Sequence, residues 1–145
     1  KVIDILREED IKKSGYNPSI MELVKLCFIA HGFCLAKYND PLFDENEIIQ
    51  ALPYGPVPIN IYSDFRSQGI KISNKSHTTN QEALVDNNEK MEYVKSVIKH
   101  YSQFDPFALS DITHEEGSPW TEIVKKYGLY ATIPNNIIRD YYKSV

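Results

Sequence analysis

The stretch DITHEEGSPW, residues 111–120, sets His114 and the carboxylates of Glu115 and Glu116 directly ahead of a Gly-Ser-Pro turn and the only tryptophan, Trp120. An imidazole beside carboxylates is the raw material of general acid–base chemistry. That chemistry needs a nucleophile or a metal to complete it, and adjacent carboxylates on a helix or turn project in different directions. The same residues also read as a structural corner. Ser110 can cap a short helical turn, Gly117 can supply a positive φ, Ser118 can cap the next helix and Pro119 suits its first position. Trp120 then plugs the core, with an indole N–H that needs one acceptor. His31, Thr113, His114, Pro119 and Trp120 are therefore read as structural residues, and none is assigned a catalytic role.

A second constellation is Cys27, His31 and Cys34, at positions i, i+4 and i+7 of one apolar run. A transition metal takes three or four such ligands, and His114 or His77 could supply a fourth. Three ligands from one uninterrupted helix, however, leave poor tetrahedral geometry. The competing reading makes the cysteines small buried hydrophobes and has His31 hydrogen-bond a neighbour, in the Thr113-His114 corner. No metal and no cofactor is expected. Seven helical positions put the two thiols about 10.5 Å apart along the axis, too far to bridge, and free thiols point to a reducing cytoplasm.

The elements that must position these residues follow from composition and spacing. With 145 residues, 42% hydrophobic and 25% charged, the chain has the content of one globular domain. The run from Leu23 to Ala36 is interrupted by Lys25, His31 and Gly32 and is too short to span a bilayer. A net charge of −4, without a basic block, argues against a surface built for phosphate. No secretory or transit pattern opens the chain at Lys1, and a longer native N-terminus is expected.

Apolar spacing predicts a short helix over VIDILREEDIKK, ended by Ser14-Gly15. Ser19 and Glu22 have capping-box spacing for a second helix. There Ile20, Leu23, Val24, Cys27, His31, Cys34 and Tyr38 mark one face, and Leu26, Phe28, Phe33 and Leu35 widen it. Such an arc is too broad for a surface helix, so this is the expected central helix. Asn39-Asp40-Pro41 breaks it. In ALPYGPVPINIYSDFRSQG the prolines around Gly55 exclude a helix or a central strand and predict a rigid loop, followed by a helix through Ile59, Tyr62 and Phe65. Residues 71–88 read as a polar loop or short hairpin, and EKMEYVKSVIKHYSQF as a helix. A short helical turn over PFALSDITH, a helix over WTEIVKKYG and a tail at 131–145 with an incomplete-looking last helix complete the chain. The expected fold is a mainly α, single compact domain around a central buried helix, with a proline-rich loop and at most a small β element. Phosphate-binding glycine motifs, nucleophile elbows and zinc-protease spacings do not occur.

Three segments, KLCFIAHGFCLAKYNDPLFDENEIIQA, YGPV with INIYSDFRSQG, and LSDITHEEGSPW, together resemble the Panacea domain, also called the SocA-like antitoxin domain. In that family a Lys-Leu-aromatic helix, a PLF segment, a Tyr-Gly-Pro-Val loop and a closing Thr-His with Pro-Trp come in this order. The resemblance spans residues 3–127. The family usually has Trp-Lys before Tyr-Gly-Pro, where this chain has Leu52-Pro53, and Pro58 stands two residues after Pro56 rather than three. The resemblance implies a small, phage- or mobile-element-associated cytoplasmic antitoxin, encoded beside a toxin that it neutralises by binding, with no catalytic activity.

That implication bears on the proline loop. Its glycine and prolines could simply hold a turn between core helices. Alternatively, Tyr54, Gly55, Pro56 and Val57, next to Tyr62 and Phe65, form a preorganised aromatic patch that contacts the toxin. The resemblance favours binding. The rival functions are a small hydrolase or metal-dependent enzyme using His31 or His114, and an adaptor that delivers a partner to a protease. No membrane and no direct nucleic-acid contact is expected.

Overall fold

The computed structural model describes residues 19–68 and 88–145. The helix expected before Ser14, the polar stretch up to residue 87 and the side chain of Phe65 lie outside the described residues. Six helices are described, with one small sheet, so the architecture is mainly α.

Helix α1, Ile20–Tyr38, runs through the centre. It starts where the Ser19 hydroxyl accepts the Glu22 N–H at 3.1 Å. It stops where Asn39, in the left-handed region at φ 52°, donates its N–H to the Leu35 carbonyl. Leu23, Val24, Leu26, Cys27, Phe28, Ile29, Cys34 and Leu35 are all buried, which leaves no solvent face along most of its length. Each large side chain buried this way contributes about 1.5–3 kcal/mol.

After α1 the chain turns through Leu42 and Phe43, both buried. Strand β1, Ile49–Leu52, then pairs antiparallel with β2, Gly55–Pro58. The segment expected to be a rigid loop is therefore a hairpin, and the register explains how the prolines fit. Pro56 faces Ala51 and Pro58 faces Ile49, whereas the next pair outward, Ile59 and Ile48, is joined by a backbone hydrogen bond. Antiparallel pairs alternate between bonded and non-bonded. The prolines fall on non-bonded positions of a strand that ends the sheet, so their missing N–H groups cost no ladder bond. The other edge of β1 is taken by residues 130–133. Tyr130 donates to Ala51, Ala51 to Ala131, and Ile133 to Ile49, at 2.7–2.9 Å.

Helix α2, Ile59–Gln68, is capped from a distance. The Glu47 carboxylate accepts the N–H groups of Asn60 and Ile61, each at 2.8 Å. Helix α3, Asn88–Tyr101, packs Val94, Val97 and Ile98 into the core, and its buried Lys90 pairs with Asp40. Helix α4, Pro106–Thr113, has a full eight residues and is capped by Asp105, whose carboxylate accepts the Ala108 N–H. Ser110, expected to be a cap, lies inside this helix. Helix α5, Pro119–Tyr127, has Ser118 as its cap, and α6, Asn135–Lys143, closes over α1 with Ile138 and Tyr142 buried. The tail thus packs as a helix on the central one. Among the described residues no helix is long and apolar enough to cross a membrane.

Candidate partner-binding site

The hairpin turn, Pro53-Tyr54, is held from three sides. From α5, the Trp120 indole N–H donates to the Leu52 carbonyl at 2.7 Å. From α1, the Lys25 ammonium donates to the Tyr54 carbonyl at 2.9 Å. From the end of α4, His114 and Thr113 press on Gly55. A Cβ at Gly55 would stand 3.1 Å from His114 Cε1 and 3.4 Å from Thr113 Oγ1, and the backbone there has φ +120°. Both the contact and the dihedral call for glycine.

The corner itself is a closed set of local hydrogen bonds. His114 Nδ1 lies 2.6 Å from the Ser110 carbonyl and must carry the proton there, and Thr113 Oγ1 donates to the same carbonyl at 3.0 Å. Ser118 Oγ donates to the Thr113 carbonyl and accepts the Thr121 N–H. The Thr121 hydroxyl reaches the His114 and Glu115 carbonyls at 3.1 and 3.0 Å. Gly117 takes φ +83° with open space around it, and Pro119 is buried at the first position of α5. The His114 ring sits 4.2 Å from that of Trp120. Glu116 turns away to pair with Lys125, and Glu115 meets the Tyr141 hydroxyl. The two carboxylates therefore do not converge on the imidazole.

His31 is elsewhere. The expectation that it bonds within the Thr113-His114 corner is corrected: its partners are in the turn after α1 and at the start of α6. Nδ1 accepts from the backbone N–H groups of Leu42 and Phe43 at 3.2 and 3.4 Å, so Nε2 carries the proton and donates to Asn135 Oδ1 at 3.0 Å. The ring stacks on Phe43 at 4.3 Å, and burial lowers its pKa to about 4 against the opposing Asn135 bond. Both nitrogens are engaged and the ring is neutral, so this imidazole has neither a free lone pair nor access to a substrate. Burial likewise pushes the Cys27 and Cys34 thiols up, to about 12 and about 11, away from the thiolate a metal would require. Among the described residues no three His, Cys, Asp or Glu side chains come together as metal ligands.

Of the expected contact residues, Tyr54 is 63% exposed, Tyr62 is half-buried, and Gly55, Pro56 and Val57 are buried. The patch is therefore narrower at the hairpin than the sequence implies. On the neighbouring edge, Leu129 and Tyr130 are exposed, and Tyr130 is held in the left-handed region at φ 72°. Lys25, Leu129 and Tyr130, at and beside this turn, were not among the expected contact residues. A lysine within an apolar helix was the available signal for the first, whereas the pairing of 130–133 with β1 left no local signature.

No curated protein and no solved structure matches the chain. Residues 23–121, which run from α1 through the hairpin and the corner into α5, match the family described as antitoxin SocA-like, Panacea domain, and the chain belongs to that family.

Proposed function

We propose that the chain neutralises a cognate toxin, the product of a neighbouring gene, by binding it directly through the hairpin turn and the edge beside it. The observation that carries this is Tyr54: its backbone is tied down through Leu52, Lys25 and the corner, yet its ring stands in solvent. Fixing the backbone in advance lowers the ordering cost of binding, and the exposed tyrosine ring supplies a large contact area, the usual character of an interface hot spot. Tyr130, Leu129 and Tyr127 extend the apolar surface along the adjoining segment. The net charge of −4 suits a basic partner around that apolar centre. Inhibition is stoichiometric in this reading, without catalysis or cofactor, and takes place in the cytoplasm.

The test is co-expression with the adjacent reading frame, scored for growth rescue and for a co-purifying complex. Rescue that is lost in Tyr54→Ala and Tyr130→Ala, with folding intact, is the expected result. A harmless neighbour that forms no complex would end the proposal.

A further inference from the structure

Lys25 is a charged side chain set into the buried surface of the central helix. It is 4% exposed on the central helix, and its ammonium carries three N–H donors. Among the described residues its one acceptor is the Tyr54 carbonyl, and no carboxylate pairs with it. Burial lowers its pKa, with no neighbouring charge acting in the other direction. Lys90, also buried, is by contrast matched to Asp40. A buried ammonium with few acceptors of its own chain is destabilising, and a carboxylate from a partner would offset that cost. The Lys25 bond ends on the backbone of Tyr54, which is exposed at the hairpin turn.

We propose that Lys25 is the charged anchor of the docking surface and takes a carboxylate from the toxin, delivered beside the Tyr54 ring. This rests on the antitoxin reading and names the chemistry of the partner: an Asp or Glu side chain set within an apolar contact that covers Tyr54. Charge complementarity selects that occupant. A carboxylate supplies the acceptors that the ammonium lacks, and covering the tip with apolar surface strengthens the pair by excluding water.

Two substitutions test it against the toxin encoded by the adjacent gene. Lys25→Met removes the charge while keeping the stem; its thermal midpoint should equal or exceed that of the parent, while affinity for the toxin falls roughly 100-fold. Lys25→Glu should abolish rescue, and toxin suppressors that restore it should replace an acidic residue with Lys or Arg. Wild-type affinity in Lys25→Met overturns the anchor, and so does a drop in midpoint large enough to account for the lost binding. Suppressors confined to the antitoxin core overturn it as well. The unmodified chain reports on the antitoxin reading separately: if it neither rescues nor binds, that reading falls and the anchor with it.

Discussion

The indole N–H of Trp120 meets the carbonyl of Leu52 at 2.7 Å across 68 residues of sequence, and that bond joins the last strand position of β1 to the first turn of α5. It couples two of the segments that carry the family resemblance, the Tyr-Gly-Pro hairpin and the Pro-Trp corner. Trp120→Phe keeps most of the packing and leaves the Leu52 carbonyl without this donor. The expected cost is about 0.5–1.5 kcal/mol in urea unfolding, the net worth of one hydrogen bond, because Leu52 and Gly55 form a bonded pair of the ladder and the carbonyl keeps that partner. An unchanged midpoint would mean that water replaces the indole at no cost.

His31 makes stability depend on pH. Its folded pKa, about 4, lies below the ordinary value of 6.5, so the unfolded chain binds the proton first. The contribution is complete above about pH 6.5 and is lost as pH falls from there through 4. At about 1.4 kcal/mol per unit, the full loss amounts to about 3 kcal/mol. His31→Gln, whose amide can accept from Leu42 and donate to Asn135, should flatten that slope. Equal slopes for the two proteins between pH 6.5 and 4.5 would contradict the assignment.

What the sequence disclosed and what it withheld divide by distance along the chain. The caps at Ser19 and Ser118 and the proline at the first position of α5 depend on neighbours within four residues, and local spacing revealed them. The central helix was legible from its wide apolar arc. The hairpin was not, because Pro56 and Pro58 argue against a strand until a register puts both at non-bonded positions. The partner of His31, Asn135, lies 104 residues away, and nothing local names it. Of the candidate site, the Tyr54 turn was recognisable, whereas the burial of Val57 beneath it depends on α1 packing against β2.

The cysteines offer a test of burial by reactivity. With pKa values raised to about 12 and about 11, both thiols should be less than roughly a hundredth ionised at pH 8. Native protein should therefore resist a disulfide-exchange reagent until it unfolds, and then label at both Cys27 and Cys34. Rapid labelling of the native chain would show that α1 is more open than its packing implies.

Gly32 decides how closely α6 can approach α1. A Cβ at that position would lie 2.3 Å from Tyr142 Cδ2 and 2.4 Å from Cε2, inside any allowed contact. The ring cannot simply swing away: it is 5% exposed and packs edge-on to Phe28 and Phe33, at centroid distances of 6.1 and 4.9 Å. Two effects therefore oppose one another in Gly32→Ala. Helix propensity favours alanine by about 1 kcal/mol, and overpacking costs about 1–3 kcal/mol. The clash should win in the parent, lowering the urea midpoint. In a Tyr142→Ala background the obstruction is gone, so the same substitution should become stabilising by about 1 kcal/mol. Because the propensity gain is common to both backgrounds, the reversal of sign isolates the contact between the two helices; a stabilising Gly32→Ala in the parent would show that Tyr142 does not seat against α1.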